Sequence, residues 1–145
     1  MPILNLTIAL APGVSLDRRR LATGLTGLGA DLLGKRPEAT AVVINAVEPQ
    51  DFFVAARPVG ETALTAFSLD IRVTEGTNTA GEMADFIAAA FRFLEEETGP
   101  IEPVSYVSVV QVPAVAWGYG GYSQAERAKM KATGAPLSRR SAVAL

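Results

Sequence analysis

Two segments of the chain, 64 residues apart, carry the same succession of signals, and this repeat limits the possible folds more than any other feature. Residues 2–11 are rich in Ile, Leu and Thr and run into Pro12-Gly13, the pattern of a buried strand followed by a turn. Ser15 is placed to cap a helix on which Leu21, Leu25, Leu28 and Leu32 recur at helical spacing. Gly34 and Pro37 stop that helix, and residues 40–47, rich in valine, read as a second strand. The order then recurs. Residues 66–74 form a strand closed by Glu75-Gly76, and Thr79 with Glu82 makes a T-x-x-E capping box. Met83, Phe86, Ile87, Ala90, Phe91 and Leu94 give one apolar helix face, Gly99-Pro100 ends it, and residues 106–112 form a fourth strand. Trp117-Gly118-Tyr119-Gly120-Gly121 is a tight turn packing against a neighbour, and residues 125–132 suit one short helix.

The chain is therefore β-α-β twice. At the 64-residue offset Pro49 falls on Pro113, Phe53 on Trp117, and Val42-Val43-Ile44 on Tyr106-Val107-Ser108. Each half is too short to bury its own helix face, so the two combine into one α+β unit. The expected fold is a four-stranded sheet built from two pseudo-symmetric β-α-β repeats, with two helices on one face. The repeats span about 2–58 and 66–122, giving a domain over 2–122 and a C-terminal extension over 123–145. Gly24, Gly27 and Gly29 lower the propensity of the first helix, for which close helix-to-sheet contact is the expected reason. Two folds share this element order, the ferredoxin-like fold and the tautomerase fold, and the elements do not separate them.

The chain contains neither cysteine nor histidine. Disulfides, thiolate nucleophiles, Cys/His zinc sites and a Ser-His-Asp triad are excluded. Acid-base chemistry would have to use a carboxylate, Lys, Tyr or the terminal amine. The net charge of -2 offers no general attraction to nucleic acid or to an anionic membrane. The charge is uneven, however. From Ser123 onward five basic residues stand against Glu126, so the rest of the chain carries about -6. Such a tail is most simply a solvated or subunit-packing segment. The opening residues lack a basic n-region, Asn5 and Pro12 interrupt their apolar run, and no run of 18 apolar residues occurs. A cytoplasmic protein with no membrane span is expected.

Specific segments go further than the element order. They are the Met1-Pro2-Ile3-Leu4 start, Gly34-Lys35-Arg36-Pro37, Phe67-Ser68-Leu69, Ala116-Trp117-Gly118, and Ser123-Gln124-Ala125-Glu126-Arg127-Ala128. Over residues 2–122 the sequence resembles the tautomerase superfamily, above all the macrophage migration inhibitory factor and cis-3-chloroacrylic acid dehalogenase groups. The last of these segments resembles the extension of the dehalogenase group. The resemblance implies that Pro2, exposed by loss of Met1, is the catalytic base. Burial and nearby cations would lower the pKa of its nitrogen, leaving a neutral amine near pH 7.

The resemblance also implies roles for four other residues, each with a plainer alternative. Lys35 would bind a substrate carboxylate, or merely complement a helix C-terminus. Arg72 would grip the carboxylate in bidentate fashion, or pair with Asp70 two residues away on the same face. Tyr106 would stabilise the developing enolate and Ser108 would contact substrate, both in a neighbouring subunit's site; otherwise Tyr106 packs in the core and Ser108 bonds to backbone. The pattern departs from several relatives: Ala11 and Pro12 replace a basic residue, the dehalogenase arginine pair is absent around Glu75-Gly76, and Ala116 lies near the water-positioning acid. The expected function is enol-keto isomerisation of a small 2-oxo acid, by a homotrimer needing no cofactor or metal. A decarboxylase, hydratase or dehalogenase-like lyase on the same scaffold, and a catalytically silent binding protein, are the alternatives.

Overall fold

A computed structural model describes residues 1–134. In chain order the elements are β1 (Ile3–Ala9), α1 (Arg18–Leu33), β2 (Ala41–Ala46), β3 (Phe53–Val54), β4 (Arg57–Pro58), β5 (Ala66–Thr74), α2 (Ala80–Thr98), β6 (Tyr106–Val112), β7 (Gly118–Tyr119), β8 (Tyr122–Ser123) and α3 (Gln124–Thr133). Residues 135–145, with Arg139 and Arg140 of the basic tail, lie outside the described residues.

The main sheet has the order β2-β1-β5-β6. Strand β1 runs parallel to β2 and antiparallel to β5, and β5 runs parallel to β6. Ile3 pairs with Ala41 and Ser68 with Tyr106, so both parallel pairs join residues 38 apart. The internal repeat is thus kept in strand register as well as in element order.

Strand alternation builds the core. Leu4, Leu6 and Ile8 of β1 and Phe67, Leu69, Ile71 and Val73 of β5 are fully buried on one face. The pairings Leu4–Ile71, Leu6–Leu69 and Ile8–Phe67 set these side chains opposite one another. Helices α1 and α2 cover this face, supplying Leu21, Leu25 and Leu33 from the first and Phe86, Ala90 and Leu94 from the second. Each large apolar side chain so buried contributes about 1.5–3 kcal/mol. Ile87, expected in the core, is 40% exposed at its rim. The opposite face of the sheet carries Val43, Tyr106 and Val110 in the open.

Local signals act as their chemistry dictates, with two corrections. Asp17, rather than Ser15, caps α1, its carboxylate accepting from Arg20 N–H at 3.1 Å. Gly34 ends α1 at φ 68°, its N–H donating to Ala30 C=O while Lys35 N–H reaches Gly29 C=O. The capping box of α2 is complete, with Thr79 Oγ1 accepting from Glu82 N–H and the Glu82 carboxylate accepting from Thr79 N–H. The second correction concerns the glycines of α1. A β-carbon at Gly24 would overlap the Phe93 ring, so the close approach there is helix to helix. Gly29 alone faces the sheet, near Ile71, and Gly27 has nothing around it.

The small hairpins β3-β4 and β7-β8 recur with the repeat. The first is absent from the sequence expectation. Its turn is Ala55-Ala56, both at positive φ, where glycine or asparagine is usual.

Candidate active site

Pro2 precedes β1 and is buried, its carbonyl accepting from Ala41 N–H at 3.2 Å. That bond holds the chain start against the head of β2. The same end of the sheet receives the C-terminus of α1, the loop after β5, hairpin β7-β8 and α3. Trp117 Nε1 donates to Thr74 Oγ1 at 3.2 Å, securing the hairpin to the end of β5.

Two adjoining cavities open here. One, of about 370 Å³, is lined by Pro2, Ile3, Thr40, Trp117, Tyr119 and others. The second, of about 470 Å³, shares Met1, Tyr119 and Gln124 with the first and adds Arg36, Arg127 and Lys131. A cavity of about 370 Å³ at the other end of the sheet, beside β3-β4, contains none of the chain's opening residues.

The electrostatics favour a neutral amine. The pKa of the amine at Met1 is lowered, chiefly by burial, then by the Lys35 ammonium and the Arg36 guanidinium. Lys35 is itself buried, and its Nζ donates to Thr77 Oγ1 at 2.9 Å. Thr77 in turn donates to Thr74 C=O at 2.6 Å. Burial lowers the pKa of Lys35, while the Glu82 carboxylate opposes the shift. Arg36 is exposed and pairs with Glu38 at 2.8 Å.

The five residues expected at the site are not all brought together in one protomer. Lys35 lies behind the cavities rather than on their walls, acting on the amine through its field. Arg72 pairs in the sheet with Ile3, which places it near the chain start but on the open face, exposed and without an ion pair to Asp70. Tyr106 pairs with Ser68, which itself pairs with Thr7, so it stands towards the other end of the sheet from Pro2. It is 66% exposed, which rules out core packing within the protomer. Ser108 lies two residues further along β6, opposite Asp70.

Sequence reasoning passed over Arg36, Tyr119, Gln124, Arg127 and Lys131. Arg36 sat unremarked inside Gly34-Lys35-Arg36-Pro37. In the sequence Arg127 stands out only within the Ser123–Ala128 segment and, with Lys131, as tail charge, although their four-residue spacing places the two on one helix face. The turn 117–121, read as packing against a neighbour, supplies wall to the protomer's own cavities. Among the described residues no group of three or more acidic, His or Cys side chains could hold a metal ion, and no helix is long and apolar enough to cross a membrane.

No family model matches the chain. A curated relative, a probable tautomerase K2 of Dickeya dadantii (strain 3937), is 33% identical over 61 residues, 42% of this chain and 91% of that protein. The matched length is close to the 64-residue repeat. Among solved structures, a fused 4-OT wild-type symmetric trimer aligns with a TM-score of 0.71 at 19% identity, covering 85% of this chain and 96% of that one. A member of the cis-3-chloroacrylic acid dehalogenase family gives 0.68 at 18% identity, over 89% and 91%. The macrophage migration inhibitory factor of Oncomelania hupensis gives 0.66 at 11%, over 83% and 95%. These structures establish the shared fold, and the curated relative carries the kinship in sequence: the chain belongs to the tautomerase superfamily.

Proposed function

We propose that the protein is a cofactor-independent isomerase that converts the enol of a small 2-oxo acid to its keto form, with Pro2 as general base. The observation that carries this reading is the buried chain start on a cavity wall, where burial and two cations favour a neutral amine. With Met1 removed, the secondary amine of Pro2 becomes the titrating group. It accepts the enol hydroxyl proton as the C2 carbonyl forms, and the C2–C3 π pair takes a proton from the resulting ammonium to make the new C3–H bond. One proton leaves oxygen, one reaches carbon, and Pro2 returns to its starting state.

Arg36, on the cavity wall, is the better-placed of the cations for the substrate carboxylate, and Lys35 lowers the amine pKa from behind. Arg72, Tyr106 and Ser108 all stand on the open sheet face or its β6 edge. In the proposed homotrimer that face meets neighbouring copies, and Tyr106 and Ser108 complete a neighbour's site. The trimeric state of a structurally similar protein and the uncovered face with its open strand edges support this assembly. Light scattering should then give three times the 15.2 kDa chain mass.

The test is a pH profile of phenylenolpyruvate ketonisation, with intact mass showing removal of Met1. A rate rising through a pKa below that of free proline, and lost in Pro2→Ala, is expected. A processed wild-type protein no faster than Pro2→Ala would discard the proline base.

A further inference from the structure

Trp117, Thr74, Thr77 and Lys35 form one hydrogen-bonded run at the end of the sheet that holds the chain start. Trp117 Nε1 donates to Thr74 Oγ1 at 3.2 Å, Thr77 Oγ1 donates to Thr74 C=O at 2.6 Å, and Lys35 Nζ donates to Thr77 Oγ1 at 2.9 Å. Beside this run Asn78 Nδ2 donates to Leu33 C=O at 3.0 Å, so the loop after β5 also grips the backbone at the end of α1.

Matched element by element, the two repeats differ here, and among the described residues the run exists at this end alone. Thr77 follows the turn glycine Gly76, at φ 79°, whereas Val14 follows its counterpart Gly13, at φ 78°. Lys35 follows Gly34 at the end of α1, and Pro100 follows Gly99 at the end of α2. Thr74 ends β5 and Ala9 ends β1, while Trp117 precedes β7 and Phe52 precedes β3. None of Val14, Pro100, Ala9 and Phe52 has a side chain that can make these bonds. The turn after β1 is closed by backbone, with Val14 N–H donating to Ala11 C=O at 3.2 Å. A β-α-β unit of this fold therefore forms without the run, which is confined to the end that holds Pro2.

The run decides where a charge stands. A hydroxyl has one proton, and Thr77 directs it to Thr74 C=O, with a longer contact of 3.4 Å to Asn78 Oδ1. Its lone pairs are thereby left to Lys35. The competing attraction on Lys35 is the Glu82 carboxylate at the head of α2, with which it forms no ion pair among the described residues. Glu82 is held in place by Thr79 N–H at 2.8 Å. An ammonium that moved towards Glu82 would have its field at the chain start offset by the carboxylate.

We propose that Thr77 is a positioning residue, whose hydroxyl fixes the Lys35 ammonium where it acts on the Pro2 amine and away from Glu82. Burial and the cations Lys35 and Arg36 hold the amine at the chain start below its ordinary pKa. The other charged groups at this end are Glu38, paired with Arg36, and Arg127 and Lys131 of α3, none of which bonds to Thr77. Only the kinetic arm of the test rests on the isomerase reading.

The direct arm needs no substrate. In protein labelled with isotopic proline, and shown by intact mass to lack Met1, nitrogen NMR follows protonation of Pro2 itself. Thr77→Val keeps the shape of the side chain and removes the acceptor. Pro2 should then titrate at higher pH than in the wild type, by no more than in Lys35→Ala, and Thr77→Ser should restore the wild-type titration. Thr77→Gly, which leaves no side chain, should match Thr77→Val. In the Lys35→Ala background Thr77→Val should add nothing, because both substitutions remove one interaction. An unchanged titration in Thr77→Val, or an equal shift with and without Lys35, would overturn the proposal. The acidic limb of phenylenolpyruvate ketonisation should follow the same order. A Thr77-dependent titration in a protein that does not ketonise the enol would uphold the positioning and remove the isomerase. Ketonisation lost in Pro2→Ala, with a Pro2 titration indifferent to Thr77, would uphold the isomerase and overturn the positioning.

Discussion

Lys35 Nζ donates to Thr77 Oγ1 at 2.9 Å, tying the C-terminus of α1 to the loop that follows β5. The bond joins the two repeats at the end of the sheet that holds Pro2. It keeps a buried cation close enough to the terminal amine to lower its pKa. Lys35 thereby acts on the chain start without lining either cavity.

That arrangement sets an order for kinetic pH dependence. Of the two cations acting on the amine, Lys35 contributes more than Arg36, and burial contributes more than either. Removing a cation stabilises the ammonium, so Lys35→Ala should move the acidic limb of the ketonisation profile to higher pH. Arg36→Ala should move it the same way by less. The pH–kcat/KM profiles of the three processed proteins check this, and a downward shift in Lys35→Ala would contradict the placement.

The lowered pKa of Lys35 also bears on stability. Its ammonium is disfavoured in the folded state, so between its folded pKa and the ordinary 10.5 the unfolded chain binds more protons. Stability from this group therefore rises as pH climbs through that window, and the cost is fully present below it. Urea denaturation from pH 7 upward should show the rise in the wild type and a weaker one in Lys35→Met.

Neighbouring glycines of α1 should respond in opposite directions. Gly24→Ala meets the Phe93 ring of α2 and should destabilise by about 1–3 kcal/mol through overpacking. Gly27→Ala meets nothing and should stabilise by up to about 1 kcal/mol through helix propensity. Thermal or chemical denaturation of the two variants reads the contrast directly.

Ala55 and Ala56 turn β3 into β4 at φ 52° and 62°, where a β-carbon is strained. Ala56→Gly should relieve part of that strain and stabilise by about 0.5–1 kcal/mol, net of the entropy that glycine adds to the unfolded chain. A denaturant midpoint below that of the wild type would contradict the turn geometry.

The cap of α2 gives a further check. Thr79→Ala removes the acceptor for Glu82 N–H and should cost about 1 kcal/mol, with Thr79→Ser recovering most of it. Equilibrium unfolding of both variants measures the effect.

Period and punctuation made the architecture legible before any coordinates. Apolar, β-prone runs ending in turn signals marked residues 2–11 and 66–74 as strands, and Thr79 with Glu82 marked the start of α2, because both signals are local. The Met1-Pro2 start and the doubled β-α-β order pointed to the family on the same footing. Hairpin β3-β4 escaped because its turn uses alanine where the usual signal is glycine or asparagine. The surroundings of Pro2 were a tertiary matter. Arg36, Tyr119, Arg127 and Lys131 are spread over almost a hundred residues and share a cavity only because strand pairing and the return of β7-β8 bring them to one end of the sheet. For the same reason Tyr106 and Pro2, both named from the sequence, stand towards opposite ends of the sheet: strand register, which no local pattern encodes at that distance, decides which side chains can meet.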